Sequence, residues 1–166
     1  MTASEDFRVM SRRDLRLELE ELYADYVACL DQERFEDWPE FFTDDAVYRI
    51  IPRENFERGL PIATLHAESK GYLKDRVVAI RQTAVYAPRY IRRLVSNIRI
   101  LGWQKEWLEV QANYAAFETL RDELTRVFSV GRCHDKLVVV DSRLKFKEKL
   151  VIFDSELIPN SLVYPL

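Results

Sequence analysis

Residues 90 to 157 alternate apolar and polar side chains with a period of two, the pattern of strands that bury one face. Turn-forming residues interrupt this alternation at three places, residues 102–105, 121–123 and 141–143. The pattern therefore predicts four long strands joined by short turns, which together form an antiparallel meander. The third and fourth of these strands are predicted at residues 124–140 and 144–157.

The same alternation assigns side chains to the two faces of each predicted strand. On the first strand, one face is predicted to carry Leu94, Ser96, Ile98 and Ile100, and the other Ile91, Arg93, Val95, Asn97 and Arg99. On the second strand, one apolar face is predicted to carry Leu108, Val110, Ala112, Tyr114 and Ala116. On the last strand, a solvated or partner-facing side is predicted to carry Arg143, Lys145, Lys147 and Lys149.

The first half of the chain has helical periodicity instead. Apolar residues recur at steps of three and four between Leu15 and Leu30, and Ser11 is placed to cap that helix. A short helix is predicted around Pro39 and a third helix at residues 69–82. Between them the pattern predicts a turn at residues 43–45, a strand at 46–51, a polar segment at 53–59 and a short strand at 60–65.

The order of the predicted elements, with helices first and strands last, predicts an α+β fold in one domain, residues 1–166. Three helices cover only one face of such a long, twisted sheet. The arrangement therefore leaves either a cone-shaped pocket or an open sheet face for a partner.

Composition excludes several classes of protein. The chain is 48% hydrophobic with a net charge of −3, which fits neither a disordered chain nor a basic nucleic-acid module. No window approaches the ~18 apolar residues of a membrane span, and the polar, acidic residues 1–6 do not form a secretory signal. We therefore expect a cytoplasmic protein that binds neither nucleic acid nor membrane.

The scarce residues exclude common cofactor sites. The four glycines, Gly59, Gly71, Gly102 and Gly131, are too far apart for a phosphate-binding loop. Two isolated cysteines, Cys29 and Cys133, do not form a zinc or iron–sulfur motif. A two-histidine, one-carboxylate iron site needs both histidines, His66 and His134, which are far apart in sequence.

Two sets of residues are candidates for acid–base chemistry. His66, oriented by Glu68, is placed to act as a general base at the mouth of a cone, or else is a surface or capping residue. Asp44 and Asp45 with Tyr48 form either an acid–base site or a turn rich in aspartate. The adjacent pair Cys133–His134 is excluded as a site, because neighbours on a strand point to opposite faces.

Two further features point to contacts with other chains. Arg89, Arg92 and Arg93 cluster beside Tyr86 and Tyr90, and a protein interface is favoured over nucleic acid because the chain is acidic. Residues 158–166 are apolar, include two prolines and lack a charged side chain. Such a tail is expected to dock, either across its own domain or onto a neighbouring subunit.

Six stretches, in this order and spacing, resemble the small (beta) subunit of Rieske-type aromatic-ring-hydroxylating dioxygenases. They are residues 38–48, 52–61, 73–77 with 80–81, 92 with 94–96, 149–155 and 159–166. The likeness extends from about Leu15 to Leu166. Residues 52–61 are most similar to small subunits that serve benzoate-type substrates, such as salicylate, anthranilate or halobenzoate.

The resemblance implies a cone-shaped α+β fold shared with nuclear transport factor 2, scytalone dehydratase and ketosteroid isomerase. It also implies a non-catalytic subunit that assembles with the large (alpha) subunit, usually three of each. The Rieske 2Fe–2S cluster and mononuclear iron belong to the large subunit, so no catalytic, cofactor-binding or metal-binding residue is expected here. The alternatives are a stand-alone dehydratase or isomerase using His66 with Asp44 or Tyr48, and a homo-oligomeric small-molecule binding protein.

Overall fold

The computed structural model describes residues 3–83, 87–155, 162 and 164–166. Within these residues, four α-helices precede most of the sheet: α1 (Ala3–Val9), α2 (Arg12–Asp31), α3 (Arg53–Glu57) and α4 (Lys70–Val78). A 3₁₀ turn spans Trp38–Phe41, and a π-helical turn, Ala79–Thr83, continues α4. None of the helices described is long and apolar enough to cross a lipid bilayer.

In the described part of the chain, six strands form one mixed sheet in the order β2-β1-β6-β5-β4-β3. They are β1 (Phe42–Pro52), β2 (Leu65–Ala67), β3 (Arg89–Trp103), β4 (Leu108–Leu120), β5 (Arg126–Val140) and β6 (Arg143–Phe153). Strands β1 and β6 run parallel, and every other neighbouring pair runs antiparallel. The predicted α+β class and the four-strand meander are both confirmed.

Helix α2 forms as its sequence predicts. The Ser11 hydroxyl accepts a hydrogen bond from the backbone N–H of Asp14 at 3.1 Å, which satisfies one of the free donors at the helix start. The apolar stripe of α2 packs on the inner face of the sheet, which we define as the face that α2 covers. Its buried residues are Leu15, Leu19, Tyr23, Tyr26, Cys29 and Leu30.

Several local predictions were wrong. Helices α1 and α3 were not predicted, because five to seven residues are too few to show helical periodicity. Residues 43–45 belong to an irregular part of β1 instead of a turn, and the short strand lies at Leu65–Ala67 instead of 60–65. Strand β6 ends at Phe153, while residues 156 and 157 of the predicted strand lie outside the described residues.

Two β-bulges reverse predicted side-chain directions. In β3 an extra residue lies between the pairs Ser96–Asn113 and Arg99–Gln111, and Asn97 has a positive φ of 53°. Arg93 therefore shares the buried face with Ile98, while Leu94 is 56% exposed. The face assignment for this strand was wrong, because a bulge changes the side-chain alternation.

The second bulge is at Lys147 in β6, where one extra residue lies between Phe146 and Glu148 relative to β5. Beyond the bulge, Lys149 points into the core and is only 2% exposed. The prediction that Lys149 continues the solvated side of the strand was therefore wrong. The apolar face predicted for β4 is confirmed, since Leu108 to Ala116 alternate between buried and more exposed positions.

Strands β5 and β6 approach each other closely at Gly131. A Cβ atom at this position would lie 2.0 Å from the carbonyl oxygen of Ile152 and 2.9 Å from Cα of Phe153. Both neighbours are backbone atoms, so the strands themselves would have to separate.

We expect Gly131→Ala to lower the free energy of unfolding by about 3 kcal/mol or more, the upper end of overpacking effects. Urea denaturation of the purified chain measures this. Gly71→Ala in α4 is the matched control, because its Cβ would meet only the Ser69 hydroxyl at 3.3 Å and alanine favours a helix. Equal effects of the two substitutions would contradict the close approach at Gly131.

Candidate functional site

The interior of the cone, between α2 and the inner face of the sheet, is where this fold has room for a site. Here aromatic side chains fill much of that space. The largest fully buried residues there are Trp38, Tyr23, Tyr26, Tyr48, Phe35, Phe42 and Phe146. Their rings make edge-on contacts, such as that of Trp38 with Tyr48 at a centroid distance of 5.4 Å.

Leu166 lies among these rings and is 6% exposed. The hydroxyls of Tyr26 and Tyr48 both donate hydrogen bonds to the same backbone oxygen of Leu166, at 2.9 and 3.0 Å. Burial raises the pKa of both tyrosines, so both phenols are protonated donors. The prediction that the apolar tail docks is confirmed for Leu162 and for residues 164–166, which pack on their own domain. Residues 158–161 and 163 of the tail lie outside the described residues.

Arg93 holds Pro165, the residue that precedes Leu166, in place. Its Nε and Nη2 atoms donate to the carbonyl oxygen of Pro165 at 3.1 and 2.6 Å, and its Nη1 pairs with Asp31 Oδ1 at 2.6 Å. The side chains of Arg93 and Asp31 are only 3% and 4% exposed. The arginine therefore joins β3, the end of α2 and the tail in one buried contact.

A second buried ion pair joins β5 to β6. Lys149 Nζ lies 3.1 Å from Asp135 Oδ2, and the Tyr23 hydroxyl donates to the same oxygen at 2.5 Å. Burial alone lowers the pKa of Lys149, but the charge and hydrogen bond of Asp135, together with Cys133 and Tyr48, outweigh burial, and the pKa is raised. Lys149 therefore keeps its positive charge inside the core, 4.6 Å from the Phe146 ring centroid.

The predicted acid–base residues do not come together. Arg49 pairs with His66 across β1 and β2, whereas Tyr48 pairs with Ala67, so His66 and Tyr48 occupy opposite faces of the sheet. The His66 side chain is 43% exposed and lies 3.6 Å from Glu68. Asp44 is exposed at the start of β1.

The two cysteines and two histidines are also dispersed. Cys133 is buried in the core, where burial raises its pKa to about 12, and the neighbouring His134 contacts Phe56 on the opposite face of the sheet. Cys29 lies on α2 and His66 on β2. This donor set does not fit a Rieske cluster, which needs two cysteines and two histidines around one centre. Within residues 3–83 and 87–155, no cluster of three potential ligands is close enough to hold a metal ion.

The predicted arginine cluster divides between the interior and the surface. Arg89 and Arg126 both pair with the buried Glu118, and Arg93 pairs with Asp31. Arg92 is the exposed member, with 74% of its side chain accessible. Tyr86 lies outside the described residues. Arg92 and the exposed Tyr90 therefore remain candidates for a protein interface. Arg89 and Arg93 do not, because they form ion pairs within the chain.

The outer face of the sheet, away from α2, carries its own small cluster. Ile51, Leu150 and Ile152 are buried there beneath Phe56 of α3. Beside them Glu148 bridges Arg49 and Lys136, with both distances 2.7 Å. Since these three residues come from β6, β1 and β5, the bridge connects three adjacent strands.

An open groove lies elsewhere, between α2, the 3₁₀ turn and the β5–β6 turn. Most of the charged side chains that line it are acidic, namely Glu18, Glu21, Asp25, Asp37, Glu40 and Asp141. It does not contain the predicted acid–base residues. Sequence reasoning missed Asp31, Asp135 and Lys149 as buried charges, because bulges and long-range pairing leave no local signal.

We expect Lys149→Met to destabilise the chain by about 3–5 kcal/mol, because Asp135 would remain as an uncompensated buried charge. The double variant with Asp135→Asn added should regain most of the lost free energy of unfolding, because the uncompensated charge is removed. Lys147→Met is the matched control: Lys147 pairs with the exposed Asp45 and is worth at most ~1 kcal/mol. Urea denaturation at pH 7 measures all three. Equal losses for the two lysines would contradict the buried pair.

We also expect the Glu148 bridge to weaken in acid. Burial raises the pKa of Glu148, but its contacts with Lys136 and Arg49 outweigh burial and lower that pKa below the unfolded value. Its stabilisation is therefore complete at neutral pH and is lost as the pH falls through the lowered pKa. Glu148→Gln should cost about 1.5 kcal/mol at pH 7 and less near pH 3. A cost that is constant or grows in acid would contradict this assignment.

Comparison with known proteins agrees with this arrangement. A family model described as the ring hydroxylating beta subunit matches residues 26–160. The anthranilate 1,2-dioxygenase small subunit of Burkholderia cepacia is 32% identical over 141 residues, which are 85% of this chain and 88% of that protein.

Solved structures give the same result. A beta subunit assigned to an aromatic-ring-hydroxylating dioxygenase of Novosphingobium aromaticivorans matches with a TM-score of 0.83 and 32% identity, covering 92% of this chain and 96% of that one. A protein described as a scytalone dehydratase from the same organism matches with a TM-score of 0.65 and 20% identity, covering 86% and 85%. That second likeness shows the fold alone and confirms the predicted cone. The chain belongs to the family of ring-hydroxylating dioxygenase beta subunits.

Proposed function

We propose that this chain is a non-catalytic structural subunit of a cytoplasmic aromatic-ring-hydroxylating oxygenase. It assembles with and stabilises large (alpha) subunits, three of each, that carry the Rieske cluster and the mononuclear iron. The complex oxygenates a monocyclic aromatic acid, using O₂ and electrons from NAD(P)H delivered through a reductase or ferredoxin. The observation that carries the proposal is the family match over residues 26–160.

The filled interior supports a structural role for the single domain of residues 1–166. Arg93 is paired with Asp31, and Lys149 is paired with Asp135. The hydroxyls of Tyr26 and Tyr48 donate their hydrogen bonds to the tail. These polar groups already have partners, so they hold the fold together instead of facing a substrate. The relative from Burkholderia cepacia is named as the small subunit of a dioxygenase that acts on anthranilate, a monocyclic aromatic acid.

An exposed apolar surface supports assembly. Strand pairing places Leu94, Ala115 and Val130 side by side on the outer face, and Arg92, Phe117 and Val127 in the neighbouring row. Leu94 is 56% exposed and Val127 61% exposed. We propose that this β3–β5 surface contacts the large subunit, since apolar and arginine side chains are typical of protein interfaces.

A stand-alone dehydratase or isomerase is the alternative, and the geometry does not favour it. His66 is separated from Tyr48 by the sheet, and Tyr48 is engaged by Leu166. A catalytic base needs hydrogen-bond reach to a bound substrate, and His66 faces away from the cone interior.

Omitting the chain and mutating it distinguish these functions. Purified large subunit, reductase and an aromatic acid such as anthranilate are assayed with and without this chain. We expect omission to lower turnover at least tenfold, because the large subunits lose their support. His66→Ala should leave the turnover of the complex within twofold. A loss of several orders of magnitude with His66→Ala, or full turnover without the chain, would contradict the structural role.

A further inference from the structure

The open groove between α2, the 3₁₀ turn and the β5–β6 turn has two walls of opposite charge. One wall is α2, where Glu18, Glu21 and Asp25 follow at steps of three and four and therefore lie on one side of the helix. We call these three residues the acidic wall. The other wall is the start of β6, where Arg143 and Lys145 line the groove, and we call these two residues the basic wall.

The charges of the two walls are not paired within the chain. Among the described residues, no side chain of either wall forms an ion pair, so the groove keeps the two walls apart. Other charged residues of the lining do have partners, since Arg34 pairs with Asp37 at 3.1 Å and Glu40 pairs with Lys70 at 2.6 Å. Asp141, in the β5–β6 turn, is the remaining charged residue of the lining. The walls therefore present unpaired charges of opposite sign side by side on one surface.

Apolar side chains accompany these charges. The groove encloses about 890 Å³, which is room for several side chains, and its apolar lining residues are Leu22, Phe41, Val140 and Leu144. On the solvent side of α2, Leu17 is 51% exposed and lies one turn before Glu21. The ridge of α2 that carries Leu17 and the acidic wall therefore matches a groove that has an apolar lining and a basic wall. Ridge and groove belong to the same molecule, so the surface is complementary to itself.

We propose that this groove is a contact between two copies of the chain, related by a two-fold axis, in which the α2 ridge of each copy enters the groove of the other. The acidic wall of each copy then meets the basic wall of its partner, so the same charge pairing forms twice. The contact shares no residue with the β3–β5 surface proposed for the large subunit, so both contacts can form in one assembly. This proposal goes beyond the role of the chain in an oxygenase and does not depend on it.

Reversing the charge of one wall at a time tests the contact. The acidic-wall variant carries Glu18→Lys and Glu21→Lys, and the basic-wall variant carries Arg143→Glu and Lys145→Glu. Sedimentation velocity of the full chain at ~100 µM, where contacts of micromolar affinity are largely formed, measures association. We expect the unchanged chain to sediment as a dimer. Each variant should associate at least tenfold more weakly, because walls of like charge would then face each other twice.

Mixing the two variants is the sharpest measurement. The acidic-wall variant is net positive on both walls and the basic-wall variant is net negative on both walls. An equimolar mixture should therefore form mixed dimers with an affinity within threefold of that of the unchanged chain, which also shows that both variants fold. The matched control carries Glu106→Lys and Glu123→Lys, the same change of charge at two exposed residues outside the groove, and should dimerise like the unchanged chain.

A salt series tests the unchanged chain without any substitution. Raising the salt concentration from ~0.05 M to ~0.5 M should weaken the dimer at least threefold, because salt screens charges at an exposed contact. A monomer at ~100 µM, a dimer insensitive to salt, a dimer that both wall variants leave intact, or wall variants that stay monomeric when mixed would each overturn the proposal.

Coexpression with the large subunit separates this contact from the proposed function. Both wall variants should still copurify with the large subunit, because the β3–β5 surface is unchanged. Loss of copurification in a wall variant would assign the groove to the large subunit and overturn the contact between copies. Failure of the unchanged chain to copurify would contradict the proposed function alone, so the two failures are distinguishable.

Discussion

The salt bridge between Lys149 and Asp135 occupies the centre of the core, and much of the surrounding structure depends on it. The pair joins β5 to β6, and Tyr23 extends the contact to α2. Lys149 reaches this position because the bulge at Lys147 reverses which face of the sheet the following side chains point to. A buried pair of this kind adds little net stability, but it strongly penalises any register that separates its members. It therefore fixes how the strands and the first long helix fit together.

The second buried pair, Arg93 with Asp31, acts in the same way on the same inner face, at the β3 edge of the sheet, and also holds the tail. Arg93 donates to Pro165, and the phenols of Tyr26 and Tyr48 hold Leu166. In a cone fold the interior is the natural place for a reaction, and here the chain occupies this part of it with its own residues. That use of the interior agrees with the supporting role that we propose for this chain.

The sequence allowed the large elements to be predicted well. Strict alternation located the meander, the Leu15–Leu30 stripe located α2, and the charge-free tail was correctly expected to dock. The errors come from bulges and long-range contacts. Nothing in the residues around Asn97 or Lys147 indicates an extra residue, because a bulge is decided by pairing with the neighbouring strand. For that reason Arg93 and Lys149 were assigned to the wrong surroundings, and the interior ion pairs were not predicted.

The most direct test of a supporting, non-catalytic role is native mass spectrometry of this chain coexpressed with its large subunit, followed by iron analysis of the separated subunits. The account predicts one complex that contains equal numbers of both chains, with all the iron retained by the large subunit. A chain that is recovered alone as a stable species, while the large subunit assembles and retains its iron and full activity without it, would contradict the account.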